Sequence, residues 1–125
     1  MRYDVDGFTE GSNPGTRGGW TVVTPEGQVI IERIEHAYLT NNEVELKALE
    51  AGCLHAAQGD TIVSDSKVCL AWVSRAGRGK TLSARPDLTP IAQSIWKLQH
   101  TKRLYLLWKP REVNRAGRYN EYKRI

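Results

Sequence analysis

The chain has 125 residues, 40% of them apolar and 26% charged, enough for one domain with its own core. It has no run of ~18 apolar residues to cross a bilayer, and its opening "MRYDVDG" lacks a basic-then-apolar leader, so a cytoplasmic protein without a membrane anchor is expected. The net charge of +4 is unevenly spread: residues 1–70 hold five basic and eleven acidic side chains (−6), and residues 71–125 hold thirteen and three (+10). A basic half can grip a polyanion while carboxylates of an acidic half hold metal ions against it. Plain solubility charge is the alternative.

Residues 2–8, "RYDVDGF", read as a strand. "EGSNPGTRGG" (10–19) is a loop, because Asn-Pro and Gly-Gly both break regular structure. "WTVVTP" (20–25) and "QVIIERI" (28–34) are β-branched runs joined at Glu26-Gly27, a hairpin signal. A helix is expected over 40–58, capped by Asn41 or Asn42 and ended by Gly59, with Leu46, Leu49, Cys53 and Ala57 on its buried stripe. "DTIVSD" (60–65) is a short apolar strand and 66–74 a short helix. A basic loop (75–86) follows, then a helix capped by Thr89, with Pro90 at its first position, running to about His100. "RLYLLWK" (103–109) is a strand, and a last helix starts near Asn114. Cys53 and Cys69 have no metal-ligand spacing and read as reduced core thiols.

Three carboxylates stand where a solvated acid is not expected. Glu45 lies 200° around the helix from the Glu43, Lys47 and Glu50 stripe, toward the sheet, and a half-buried acid needs a cation or donors. Snorkelling outward is its bland alternative. Asp65 ends a short strand, where ligands of open α/β sheets collect, or it caps the next helix. Asp6 lies in the first strand beside its rival Asp4, two residues away on the same face.

Together these pieces resemble ribonuclease H of type 1. The matching stretches are Asp6-Gly7 with "GSNPGTRGG", "TNNEVELKAL" with Glu45, and "IVSDS" with Asp65, and the resemblance covers nearly the whole chain. It implies an α/β fold with a five-stranded mixed sheet, the first three strands antiparallel, in the order βββαβα(α)βα, as a single domain over 1–125. It implies an endoribonuclease that cleaves the RNA strand of RNA–DNA hybrids to 5′-phosphate and 3′-hydroxyl ends. Two Mg²⁺ (or Mn²⁺) ions would be held by Asp6, Glu45 and Asp65. Substrate contacts expected with it are Gly7, Asn13, Thr40, Asn41, Asn42, Ser66, Trp72, Arg78 and Lys80, and Arg118, which the family does not share, is expected to contact a phosphate. For Asn13 the alternative is a plain turn, for Asn41 a cap and for Trp72 a core position. A monomer needing no protein partner is expected.

The chain departs from the family at the last helix. The family's fourth acid lies in an Asn-x-x-Ala-Asp pattern, and Arg118 stands at that place here, where a guanidinium cannot ligate a metal. Asn114 is expected to supply the fourth ligand through its side-chain oxygen. A plain helix cap is its alternative role, and Glu121, two turns deeper, is its rival as ligand. The family's loop histidine has no counterpart in "WKPREVNRAG". Two other classes share these features: a hybrid- or duplex-binding module that has lost catalysis, and another nuclease of this kind such as a junction resolvase.

Overall fold

A computed structural model describes residues 1–123. Its strands are β1 (Arg2–Thr9), β2 (Gly18–Val23), β3 (Val29–Glu35), β4 (Thr61–Ser64) and β5 (Tyr105–Trp108). Its helices are α1 (Asn41–His55), α2 (Lys67–Gly77), α3 (Thr89–Lys102) and α4 (Arg115–Lys123). The sheet order is β3-β2-β1-β4-β5. β1, β2 and β3 pair antiparallel, while β4 runs parallel to β1 and β5 parallel to β4. This is the mixed five-stranded α/β arrangement expected from the sequence.

The two faces of β1 have different jobs. Tyr3 and Val5 join Leu46, Leu49, Cys53 and Ile62 in the core beneath α1. Asp4 and Asp6 alternate onto the other face, under α4. Gly7 lets α1 come close, since a Cβ there would collide with the Val44 carbonyl group.

Three helix ends differ from expectation. Thr40, not Asn41 or Asn42, caps α1, because its hydroxyl accepts from the Glu43 N–H at 3.3 Å while Asn41 is engaged by Asn13 and Thr9. The helix stops at His55 and leaves Ala57 exposed, since Lys102 satisfies the carbonyls of Cys53, Leu54 and Ala56 and Asp60 takes the Ala57 N–H. α3 follows a 3₁₀ turn at Pro86–Leu88, and the Thr89 hydroxyl bonds the Leu82 N–H instead of capping. Cys53 and Cys69 are free and buried, and burial pushes both thiols up to about 12.

Candidate active site

The β1–β4 register builds the site. Arg2 faces Thr61 and Asp4 faces Val63, so two residues further on Asp6 comes alongside Asp65 at the end of β4. There β4 has ended, and the Gly7 N–H of β1 is taken by the Glu45 carboxylate of α1. Asp6, Glu45 and Asp65 thereby converge, each with a ligand atom within 4.8 Å of the others. Ser66, not Asp65, caps α2, accepting from the Cys69 N–H at 3.2 Å, which leaves the Asp65 carboxylate for the cluster.

The electrostatics match three acids crowded out of water. Burial, partly offset by a hydrogen bond from Asn120, pushes the Asp6 carboxyl up to about 6, and the Asp65 charge adds to the rise. Glu45 is raised well above the carboxylate range, first by burial and then by the charges of Asp6 and Asp65. Asp6 Oδ1 and Asp65 Oδ2 are buried without a hydrogen-bond partner. Two orphaned carboxylate oxygens beside a third acid are a hard-oxygen donor set, and it fits Mg²⁺ or Mn²⁺.

Asp4 is the contrast. It is as buried as Asp6, at 1% exposure, but fully partnered. Arg2 meets both its oxygens at 2.8 and 3.2 Å, and the Arg115 N–H donates to it at 2.7 Å. Asp4 anchors the positive end of α4, and its charge is already answered by Arg2 and Arg115.

α4 crosses the acid-bearing face, and residues three apart on it meet successive strands. A Cβ on Gly117 would lie 3.3 Å from Asp65 Oδ2, Asn120 bonds Asp6 of β1 and Thr21 of β2, and Lys123 pairs with Glu32 of β3. The position turned toward the carboxylates is therefore Gly117. Arg118 instead donates to the Glu112 carbonyl and lines an open cleft with Arg111, Glu112, Glu121 and Tyr122.

Asn114 is fully buried, and both ends of its amide are used. Its Oδ1 accepts the Gly117 N–H at 2.9 Å, and its Nδ2 donates to the Val5 carbonyl at 3.0 Å. The expected fourth ligand is thus engaged as the cap of α4. Glu121 is 63% exposed and paired with Arg111 at 3.2 Å, not turned into the cluster. Arg111 also lies 3.8 Å from Asp65 Oδ2, as a built-in counter-charge.

No family model and no curated protein sequence matches the chain. Solved structures do. The N-terminal RNase H domain of a Mycobacterium tuberculosis protein, solved as a fusion with maltose-binding protein, superposes with a TM-score of 0.67 at 28% identity, over 92% of this chain and 90% of that one. RNase H1 from the halophilic archaeon Halobacterium salinarum superposes with a TM-score of 0.62 at 22% identity, over 92% and 89%. The chain has a ribonuclease H-like fold. The likeness supports a ribonuclease H-type nuclease.

Around the three acids, the expected substrate residues fall into separate groups. Asn13 and Thr40 to Asn42 form a hydrogen-bonded ridge: Asn13 Oδ1 accepts the Asn41 N–H at 2.9 Å, and Thr9 donates to Asn41 Oδ1 at 3.1 Å. The Asn42 carbonyl accepts from Cys69 Sγ at 3.4 Å. Arg85, missed in the sequence, donates to the Thr40 hydroxyl at 3.0 Å and pairs with Glu43 and Asp87. Its signal was a lone arginine before Pro86, which nothing local ties to Thr40. Trp72 is half-buried and packs on the core, whereas Arg78 and Lys80 are exposed.

Asn120 was also missed. It is 1% exposed, donates to Asp6 Oδ2 at 2.9 Å and accepts from the Thr21 hydroxyl at 2.7 Å. The only sequence signal was a polar residue one turn beyond Ala116 and Gly117, on the face those small residues mark as buried.

Proposed function

We propose that the protein is a metal-dependent ribonuclease H acting on the RNA strand of RNA–DNA hybrids. One observation carries the reading. Three carboxylates from β1, α1 and the end of β4 converge within 4.8 Å, and two of their buried oxygens lack a hydrogen-bond partner. Such a cluster has no structural use, because ionised acids crowded in low dielectric repel one another.

Asp6, Glu45 and Asp65 would hold two divalent ions. Bound there, such ions supply Lewis-acid stabilisation of a scissile phosphate and an attacking water at neutral pH. The chain's own residues do the rest. The Gly7 N–H fixes the Glu45 carboxylate, and Asn120 fixes that of Asp6. Arg111 offsets part of the cluster's charge until a polyanion arrives. Asn13, Thr40, Asn41 and Asn42 line the ridge proposed to meet 2′-hydroxyls and phosphates, where a protein tells RNA from DNA. Arg78, Lys80 and Arg118 are solvent-facing cations for the backbone, and Trp72 contributes at most an edge.

A second reading is a hybrid-binding module with weak catalysis. It is favoured by the absence of a carboxylate on α4 toward the cluster, where Gly117 stands. One assay separates the two. A labelled RNA–DNA hybrid is incubated with and without Mg²⁺ or Mn²⁺, beside single-stranded and duplex RNA. Metal-dependent cleavage of the hybrid alone, leaving 5′-phosphate ends, is expected. Hybrid binding with no cleavage in either metal would establish the second reading instead.

A further inference from the structure

We propose that Asn120, oriented by Thr21, is the positioning residue of the Asp6 carboxylate, holding Oδ2 so that Oδ1 is the oxygen offered to a divalent ion. The inference rests on the metal-dependent reading of the cluster.

The geometry starts from strand pairing. Asp6 and Thr21 are direct partners across β1 and β2, so their side chains stand together under α4. Asn120 bridges them. Its Nδ2 has two acceptors on Asp6, the carboxylate Oδ2 at 2.9 Å and the main-chain carbonyl at 3.4 Å. Neither can donate when Asp6 is ionised, so the amide nitrogen must face Asp6 and the amide oxygen must face Thr21. The Thr21 hydroxyl donates to that oxygen at 2.7 Å, and Thr21 is fully buried. Each atom of the amide thus has one role, and it cannot rotate without orphaning a buried group.

Packing does not account for an asparagine here. The other buried positions of α4 are Ala116 and Gly117, and an apolar side chain would fill the same space without the cost of burying an amide. The effect on Asp6 is selective: Oδ2 is held and Oδ1 is left with no partner. A side chain that binds one oxygen of a ligating carboxylate fixes its orientation, and losing such a partner typically weakens metal affinity ~10–100-fold.

The test is calorimetric titration of Mn²⁺ into the protein without nucleic acid, with hybrid cleavage measured in parallel. Asn120→Leu should weaken Mn²⁺ binding ~10–100-fold. Thr21→Val, close in shape, should weaken it roughly threefold by releasing the amide, and Thr21→Ser should restore parental affinity. Thr21→Val should add nothing in the Asn120→Leu background, because Thr21 acts only through Asn120. If Asn120→Leu does not fold, the contrast between Thr21→Val and Thr21→Ser still decides. Parental affinity in Asn120→Leu, or in Thr21→Val, would overturn the proposal. A parent protein that binds Mn²⁺ and shows these losses but leaves hybrids uncut sustains it while removing the ribonuclease reading. A parent that binds no Mn²⁺ overturns both.

Discussion

Replacing Asp6 by asparagine should end hybrid cleavage and yet make the metal-free protein more stable at neutral pH. Burial, with the Asp65 charge, holds the Asp6 carboxyl at about 6 against an ordinary value of 3.8. The folded state therefore holds that proton more tightly than the unfolded chain. The resulting penalty is absent well below pH 4, grows as the pH rises toward 6, and is complete above it. At 1.36 kcal/mol per pKa unit it amounts to about 3 kcal/mol at pH 8. Glu45 is raised for the same reasons and shares the relief, so a single variant should gain about 2–3 kcal/mol. In a chain of this size that is an unfolding midpoint higher by about 5–10 °C. Asparagine keeps the shape and still accepts from Asn120. The assay is urea unfolding in a chelator at pH 8, 5 and 4. The gain should be full at pH 8, about half at pH 5 and small at pH 4. Adding Mg²⁺ should then stabilise the parent and leave the variant unmoved. A variant that is less stable than the parent in chelator at pH 8, or equally improved at every pH, would refute the reasoning.

Glu45→Gln and Asp65→Asn should each abolish hybrid cleavage with the fold intact by circular dichroism; retained activity in either removes that residue from the site. Asn114→Ala should cost about 2–4 kcal/mol in urea unfolding, from a lost helix cap and an unpaired Val5 carbonyl, while the folded protein keeps parental Mn²⁺ affinity. Loss of affinity at unchanged stability would make Asn114 a ligand after all. Gly117→Asp would bring a fourth carboxylate beside Asp65, lowering metal-free stability at pH 8 and tightening Mg²⁺ binding about tenfold by calorimetry; weaker binding would show that α4 cannot serve the site. Hybrid affinity should fall steeply with salt, with a log–log slope of about −4 if some five phosphates are gripped; a flat response would mean that the basic half faces elsewhere.

Much of this was legible along the chain because it is local. The order of elements follows from β-branched runs, turn dipeptides and helix periodicity, each contained in a short window. Glu45 and Asp65 stood out as acids at positions a solvated charge would not take. The residue that matters at the start of the chain was harder, since Asp4 and Asp6 share one strand face and differ only in what distant segments bring to them. Arg115 comes to Asp4 and Asn120 to Asp6, more than 100 residues later. The inward face of the last helix is hidden from the sequence for the same reason. Counting from Asn114 set Arg118 against the missing acid, but only the docking angle of α4 turns Gly117 and Asn120 inward. Thr40 was passed over as the cap because the neighbouring asparagines are equally good caps, and Asn41 was already claimed by a loop 28 residues before it.

The parallel register of β1 and β4 makes the site a vernier for the fold. Asp6 and Asp65 come level only if Asp4 sits opposite Val63. A slip of β4 by one residue would keep a hydrogen-bonded strand in the sheet but turn Asp65 toward α1 and break the donor set. Circular dichroism would scarcely distinguish that species from the native one, yet it would be blind to divalent ions. Metal uptake during refolding would therefore time the moment at which two strands separated by a whole helix settle into alignment, a step that bulk secondary structure does not report.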